Sequence, residues 1–148
     1  LTIGEEGIPA TAEERLAAAG TIIERATKMG IPVEDIIIDP LVMTVGHSKA
    51  AMVTLKTIQL VKKEYGVNIS LGASNVSFGL PDRKAVNSAF LTLAIQAGAT
   101  CSITDPIKLG NTIRATDLLL GRDANSIRYL KYFRATEKLR EPEAALKV

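Results

Sequence analysis

The stretch Ile36-Ile37-Ile38-Asp39-Pro40-Leu41 opens with three β-branched residues and stops at an Asp-Pro pair. It is too short for a helix and stiff at every χ1, so it reads as a buried strand. Working outward, helical patterns flank it on both sides. Upstream, Thr11 with Glu14 forms a capping box, and Leu16, Ala19, Ile22, Ile23, Ala26 and Met29 recur at three- and four-residue spacing as one buried stripe. Glu24 and Lys28 pair on the exposed face, and Gly30 with Pro32 ends the helix. Downstream, Ser48 can cap a helix whose buried face carries Ala51, Leu55, Ile58, Val61 and Tyr65, closed by Gly66.

The pattern then repeats. A strand through Ile69, Leu71 and Ala73 leads into Ser74-Asn75 and a Gly/Pro loop, and Asp82 caps a helix carrying Val86, Phe90, Leu93 and Ala97. A strand around Cys101 and Ile103 ends at Thr104-Asp105-Pro106; helices follow from about Asn111 to Leu120 and after Asp123. With Leu1-Thr2-Ile3 as the end of a strand, the chain holds four βα units, and a charged tail, 137–148, follows the last helix. Strands alternating with single helices pair in parallel. Four units make either a small open sheet or half of an eight-unit barrel, and periodicity alone does not separate the two. Opening on Leu1 inside a strand, the chain reads as a segment of something longer.

Composition narrows the function classes. Nearly half of the 148 residues are hydrophobic, with no Trp and few aromatics, which suits helices packed on parallel strands. A net charge of +2 gives no reason to expect nucleic acid or an acidic membrane. Arg128, Lys131, Arg134, Lys138 and Arg140, interrupted by acids, read as a solvated face. The single cysteine excludes an internal disulfide and fits a reducing, cytoplasmic setting. No run of residues is apolar enough to span a bilayer. His47 is the only histidine, so no His-based metal set or Ser-His-Asp triad assembles here; it suits a loop or cap, and Cys101 an inert core thiol.

In parallel α/β folds the site lies at the C-terminal ends of the strands. This sequence places Thr2, Asp39, Ser74 with Asn75, and Thr104 with Asp105 there. The loop Gly72-Ala73-Ser74-Asn75-Val76-Ser77-Phe78-Gly79-Leu80-Pro81-Asp82-Arg83 holds no phosphate-loop lysine, no Gly-x-Gly-x-x-Gly and no Gly-x-Ser-x-Gly. It resembles the loop of the methyltetrahydrofolate methyltransferases, namely the corrinoid iron–sulfur protein methyltransferases and the folate domain of cobalamin-dependent methionine synthase. Thr2 to Pro9 resembles that family's fifth strand and loop, and Ile36 to Leu41 its Ile-Asp-Pro-Leu strand end. Asn87, Phe90 and Leu91 resemble its seventh helix, and Ile103-Thr104-Asp105 its last strand. The resemblance runs from the first residue to about Leu120.

It implies the C-terminal half of a TIM-type (β/α)8 barrel that takes the methyl group of methyltetrahydrofolate to the cobalt of a corrinoid on a partner protein, with no metal of its own. Asp39 matches the carboxylate that accepts the two parallel N–H donors of the pterin. Asn75 matches the asparagine that contacts the methyl-bearing nitrogen, where a bond that strengthens as the carbon–nitrogen bond breaks accelerates the reaction. Gly72 and Ser74 match ring contacts, Phe78 follows the methionine synthase pattern, Arg83 matches a ring or tail contact and Ile103 an apolar wall. Asp105 is a weaker candidate, equally suited to cap a turn. The family's second and third strands supply a further Asp and Asn that nothing here matches, so an N-terminal half is a required partner. A half-barrel exposes strand edges and apolar surface, and it should homo-oligomerise, swap or aggregate without that half. Two other readings compete. A dihydropteroate synthase would show Ser-Arg-Lys where this chain has Ser74-Asn75-Val76 and Arg-x-His near Thr104-Asp105-Pro106. The other is a non-catalytic half-barrel serving binding or assembly.

Overall fold

The computed structural model describes residues 1–47 and 49–145, the side chains of 47 and 138–145 excepted. It divides into two compact units, residues 1–104 and 105–148.

In the first unit, α1 (Ala12–Lys28) starts on the expected capping box. The Thr11 hydroxyl accepts from the Glu14 N–H at 3.2 Å, and Glu14 Oε2 accepts from the Thr11 N–H at 3.0 Å. Its buried positions are Ala12, Arg15, Ala19 and Ile23, with Leu16, Ile22 and Ala26 half-buried. Met29 falls outside the stripe and is 82% exposed, because it is the C-cap and the helix has ended there. The Lys28–Glu24 pair forms at 2.6 Å.

β1 (Ile37–Ile38) begins one residue late, since the Ile36 N–H is spent on Val33 in a preceding 3₁₀ turn. α2 (Ala50–Tyr65) buries Thr54, Thr57, Ile58 and Val61 and closes on left-handed Gly66 (φ 66°). The expected cap, Ser48, lies outside the described residues. β2 (Asn68–Gly72) and β3 (Cys101–Ile103) flank α3 (Arg83–Ala97), whose core face is Phe90, Leu91, Ala94, Ile95 and Ala97. Leu93, expected inside, is half-exposed: the buried face runs through Phe90, Leu91, Ala94 and Ile95 and leaves it to one side. Asp82 precedes α3 but its side chain makes no capping bond. Its φ of 42° is left-handed, whereas a capping side chain works from extended backbone.

The strands pair in parallel in the order β1-β2-β3, with Ile38 beside Ile69, Leu71 beside Ser102 and Gly72 beside Ile103. α2 packs on β2 and against both α1 and α3. Ile38, Ile69 and Leu71 are sealed on the helix side. The opposite face is bare: Ile37 is 58% and Ile103 71% exposed. Cys101 shares that face and is exposed, so it is not the core thiol its strand pattern suggested.

Among the described residues three strands form, not four. Leu1-Thr2-Ile3 gives a single bond to the sheet, from the Thr2 N–H to the Asp39 carbonyl at 3.0 Å. A parallel ladder would return a bond from the Leu41 N–H to the Thr2 carbonyl. That N–H is instead donated to Asp39 Oδ1 at 2.8 Å. Thr2 is fully buried, so it is not part of the exposed rim either.

The second unit is a helical pair, α4 (Pro106–Leu119) and α5 (Ile127–Ala145). α4 starts five residues earlier than Asn111 because Asp105-Pro106 is a complete start signal, a cap followed by proline at the first position. Tyr132 lies over Gly110, where an added Cβ would come within 2.8 Å of its hydroxyl. The Arg114 guanidinium stacks 4.4 Å from the Tyr132 ring. α5 carries the segment from Glu137 as helix to Ala145, in keeping with its Glu, Lys, Arg, Leu and Ala content. Among the described residues no helix is long and apolar enough to cross a membrane.

Candidate functional site

Parallel strands bring their C-terminal ends to one rim, and the loops leaving β1 and β2 meet there. The short turn Val45–His47 packs against the 3₁₀ turn Ala73–Ser77. Along β1, Ile37 faces the bare side and Ile38 the helices. Alternation therefore returns Asp39 to the bare side, opposite Ser70 once the register is extended by one residue. Asp39 is half-buried, and its Oδ1 holds the Leu41 N–H at 2.8 Å in a tight Asx turn. A carboxylate has about four lone-pair sites, so Asp39 keeps accepting capacity beyond this one bond.

The turn at Asp39 contains Leu41 at φ 63°, a left-handed conformation that a branched side chain rarely takes. It is held by Arg15 from α1. Arg15 is only 3% exposed; Nη1 donates to the carbonyls of Pro40 (3.0 Å) and Leu41 (2.8 Å), and Nε to that of Pro9 (3.1 Å). Thr54 adds a bond to the Leu41 carbonyl at 3.0 Å. Burial draws the guanidinium below the usual arginine range, yet it stays protonated. The sequence reading missed Arg15. Its signal was there: it is a charged residue in phase with Ala12, Ala19 and Ile23 on the buried stripe.

At the end of β2, Asn75 is exposed and its amide lies over Gly72. A Cβ on Gly72 would sit 3.2 Å from Asn75 Nδ2. The lack of a side chain there is what lets the amide lie so close to the strand end. Arg83 braces this turn from below. Its Nη2 donates to the Ser74 carbonyl at 2.9 Å, its Nε to Ser77 Oγ at 3.0 Å, and its guanidinium stacks 5.7 Å from the Phe78 ring. A cation at a helix start, unfavourable against the dipole, is thus explained by a loop it ties down. Ser77, fully buried and donating to the Ser74 carbonyl at 3.3 Å, is a second residue the sequence reading passed over.

Phe78 (69% exposed) and Ile103 stand open at the rim and on the bare face. Asp39, Gly72, Ser74, Asn75, Phe78, Arg83 and Ile103 all belong to the first unit. Asp105 begins the second, and there it is a helix cap: Oδ1 accepts from the N–H groups of Ile107 (3.0 Å) and Lys108 (3.2 Å), and Oδ2 pairs with Lys108 Nζ at 3.1 Å.

Residues 5–105, which span this whole strand-end rim, match the family model of the pterin binding enzymes. The chain belongs to that family. The chain is 35% identical over 138 residues to the methylcorrinoid:tetrahydrofolate methyltransferase of Eubacterium limosum, a match covering 90% of the chain and 51% of that enzyme. It is 33% identical over 118 residues to the methionine synthases of Mycobacterium tuberculosis (strain ATCC 25618 / H37Rv) and Mycobacterium leprae (strain TN), covering 74% of the chain and 10% of each. The chain thus spans about half the length of the first relative and a tenth of the others. The α/β architecture with parallel strands is consistent with part of a pterin-binding barrel.

Proposed function

We propose that this chain is the C-terminal half of a (β/α)8 barrel that binds methyltetrahydrofolate and exchanges its methyl group with the cobalt of a corrinoid carried by a partner protein. The observation that carries the reading is the pairing of Asp39 and Asn75 at neighbouring parallel strand ends, one a braced carboxylate and the other an amide on a glycine floor.

Asp39 anchors the pterin. The ring's amino group and adjacent N–H are parallel donors, and a carboxylate accepts both as a charge-assisted pair. Asn75 hydrogen-bonds the methyl-bearing nitrogen, accepting from it when protonated or donating when neutral. Because that bond strengthens as the carbon–nitrogen bond breaks, it lowers the barrier instead of merely tightening binding. Ser74 and Gly72 flank the ring, Ile103 and Phe78 supply apolar contact, and Arg83 holds the Ser74 backbone in place while reaching toward ring or tail. The corrinoid supplies the cobalt that carries the methyl group, so the chain needs no metal ligands of its own. The Eubacterium relative is named for the direction from methylcorrinoid to tetrahydrofolate. One site serves both directions, since forward and reverse transfer share a transition state.

The remaining barrel strands complete the pterin pocket and cover the bare sheet face, and the protein works in the cytoplasm on soluble partners. Titration of methyltetrahydrofolate into the full-length gene product tests the assignment. Asp39→Ala should cost about 2 kcal/mol or more of binding. Asn75→Ala should lower turnover far more than affinity. Wild-type affinity in Asp39→Ala would remove the carboxylate from the site.

A further inference from the structure

Arg15 belongs to no strand end, yet it touches the backbone that aims Asp39. The Pro40 carbonyl and the Leu41 N–H are opposite ends of one planar trans peptide. Arg15 Nη1 holds the carbonyl end at 3.0 Å, and Asp39 Oδ1 takes the N–H end at 2.8 Å. Fixing one end of the plane fixes the direction of the other. The same nitrogen takes the Leu41 carbonyl at 2.8 Å, on the far side of the left-handed residue, and Thr54 takes it as well. The Pro40–Leu41 and Leu41–Val42 peptides are therefore both locked from inside the helix layer. Nε, through the Pro9 carbonyl at 3.1 Å, ties the preceding rim loop to the same guanidinium.

We infer that Arg15 is a positioning residue for the pterin-anchoring carboxylate: through the Pro40–Leu41 peptide it sets the plane in which Asp39 presents its oxygens to the ligand. The inference rests on the reading of Asp39 as the pterin anchor. A packing role alone would stabilise the first unit without touching ligand affinity. A planar fork with several donors suits this task, and a lysine, with one compact charge, cannot reach three carbonyls set at different angles.

A double-mutant cycle on the full-length gene product tests it, with methyltetrahydrofolate binding read by titration and folding checked by thermal melting. Arg15→Lys should weaken binding about tenfold. Placed on Asp39→Ala, the same change should add less than about twofold, because the group it positions is gone. Wild-type affinity in Arg15→Lys overturns the inference. So does an equal loss in both backgrounds, which would mark Arg15 as acting on the fold at large. Unchanged affinity in Asp39→Ala alone would sink the anchor reading itself, and is told apart by that single variant. If Arg15→Lys does not fold, Arg15→Gln, whose amide keeps one donor nitrogen with two N–H groups, is read in the same cycle.

Discussion

At the scale of single residues, Gly72 gives a clean separation of chemistry from stability. Its φ of −78° is open to any residue, so alanine there brings no backbone strain. The new methyl would meet Asn75 Nδ2 at 3.2 Å and push the amide off the strand end by a few tenths of an ångström. Misplacing a group that acts in the transition state costs rate steeply. Gly72→Ala should lower methyl-transfer turnover by about tenfold to a hundredfold, with a melting temperature close to wild type. Steady-state kinetics beside a thermal melt would decide it; full turnover would mean that Asn75 does not act from this position. Gly72, Ser74 and Asn75 could be proposed from the sequence because the loop resembles a known motif, and Asp39 because the Ile36–Leu41 strand end does. Arg15 and Ser77 were not, because they act on carbonyls contributed by other segments, and no local pattern announces a long-range backbone bond. Arg83 was read as a ring or tail contact, and its visible partners are the turn and Phe78.

At the scale of elements, periodicity and capping chemistry located the helices, while boundaries failed where a cap was misread. Asp105-Pro106 was treated as a strand stop when it also starts α4, and Asp82 as a cap when its backbone is left-handed. The real caps of the second unit carry a pH signature. The Asp105 carboxyl is held below the usual aspartate range by the Lys108 side chain, then by the Lys108 and Ile107 N–H groups. Asp123 is held down first by the Arg128 N–H, then by that of Tyr129 and by the charges of Arg128 and Arg114. A depressed folded-state pKa stabilises above the unfolded value, and the benefit is lost as pH falls through the folded one. Stability should therefore be level between about pH 7 and 5 and decline below about pH 4. Asp123→Asn should start less stable at neutral pH and lose less on acidification. Denaturation followed by circular dichroism across that range checks this, and parallel curves for the two proteins would count against it.

At the scale of the whole chain, alternating strands and helices left an open sheet and a half-barrel equally open. The family match and the relatives' greater length bear on that choice, and the sheet itself shows what further strands would cover. Its helix side is sealed by Ile38, Ile69 and Leu71, while Ile37, Cys101 and Ile103 lie bare and, among the described residues, β3 has no neighbour beyond it in the sheet. Unpaired strand edges beside apolar surface are templates for association. The 148-residue chain on its own should therefore self-associate, its sedimentation coefficient rising with concentration. Ile103→Asp should shift it toward the monomer, since a charge on the bare face opposes burial against another copy. The full-length gene product should show no such dependence on this face, because its own strands would occupy it. A short chain that sediments as a monomer at every concentration would mean that this face needs no cover, and would favour an open sheet over half of a barrel.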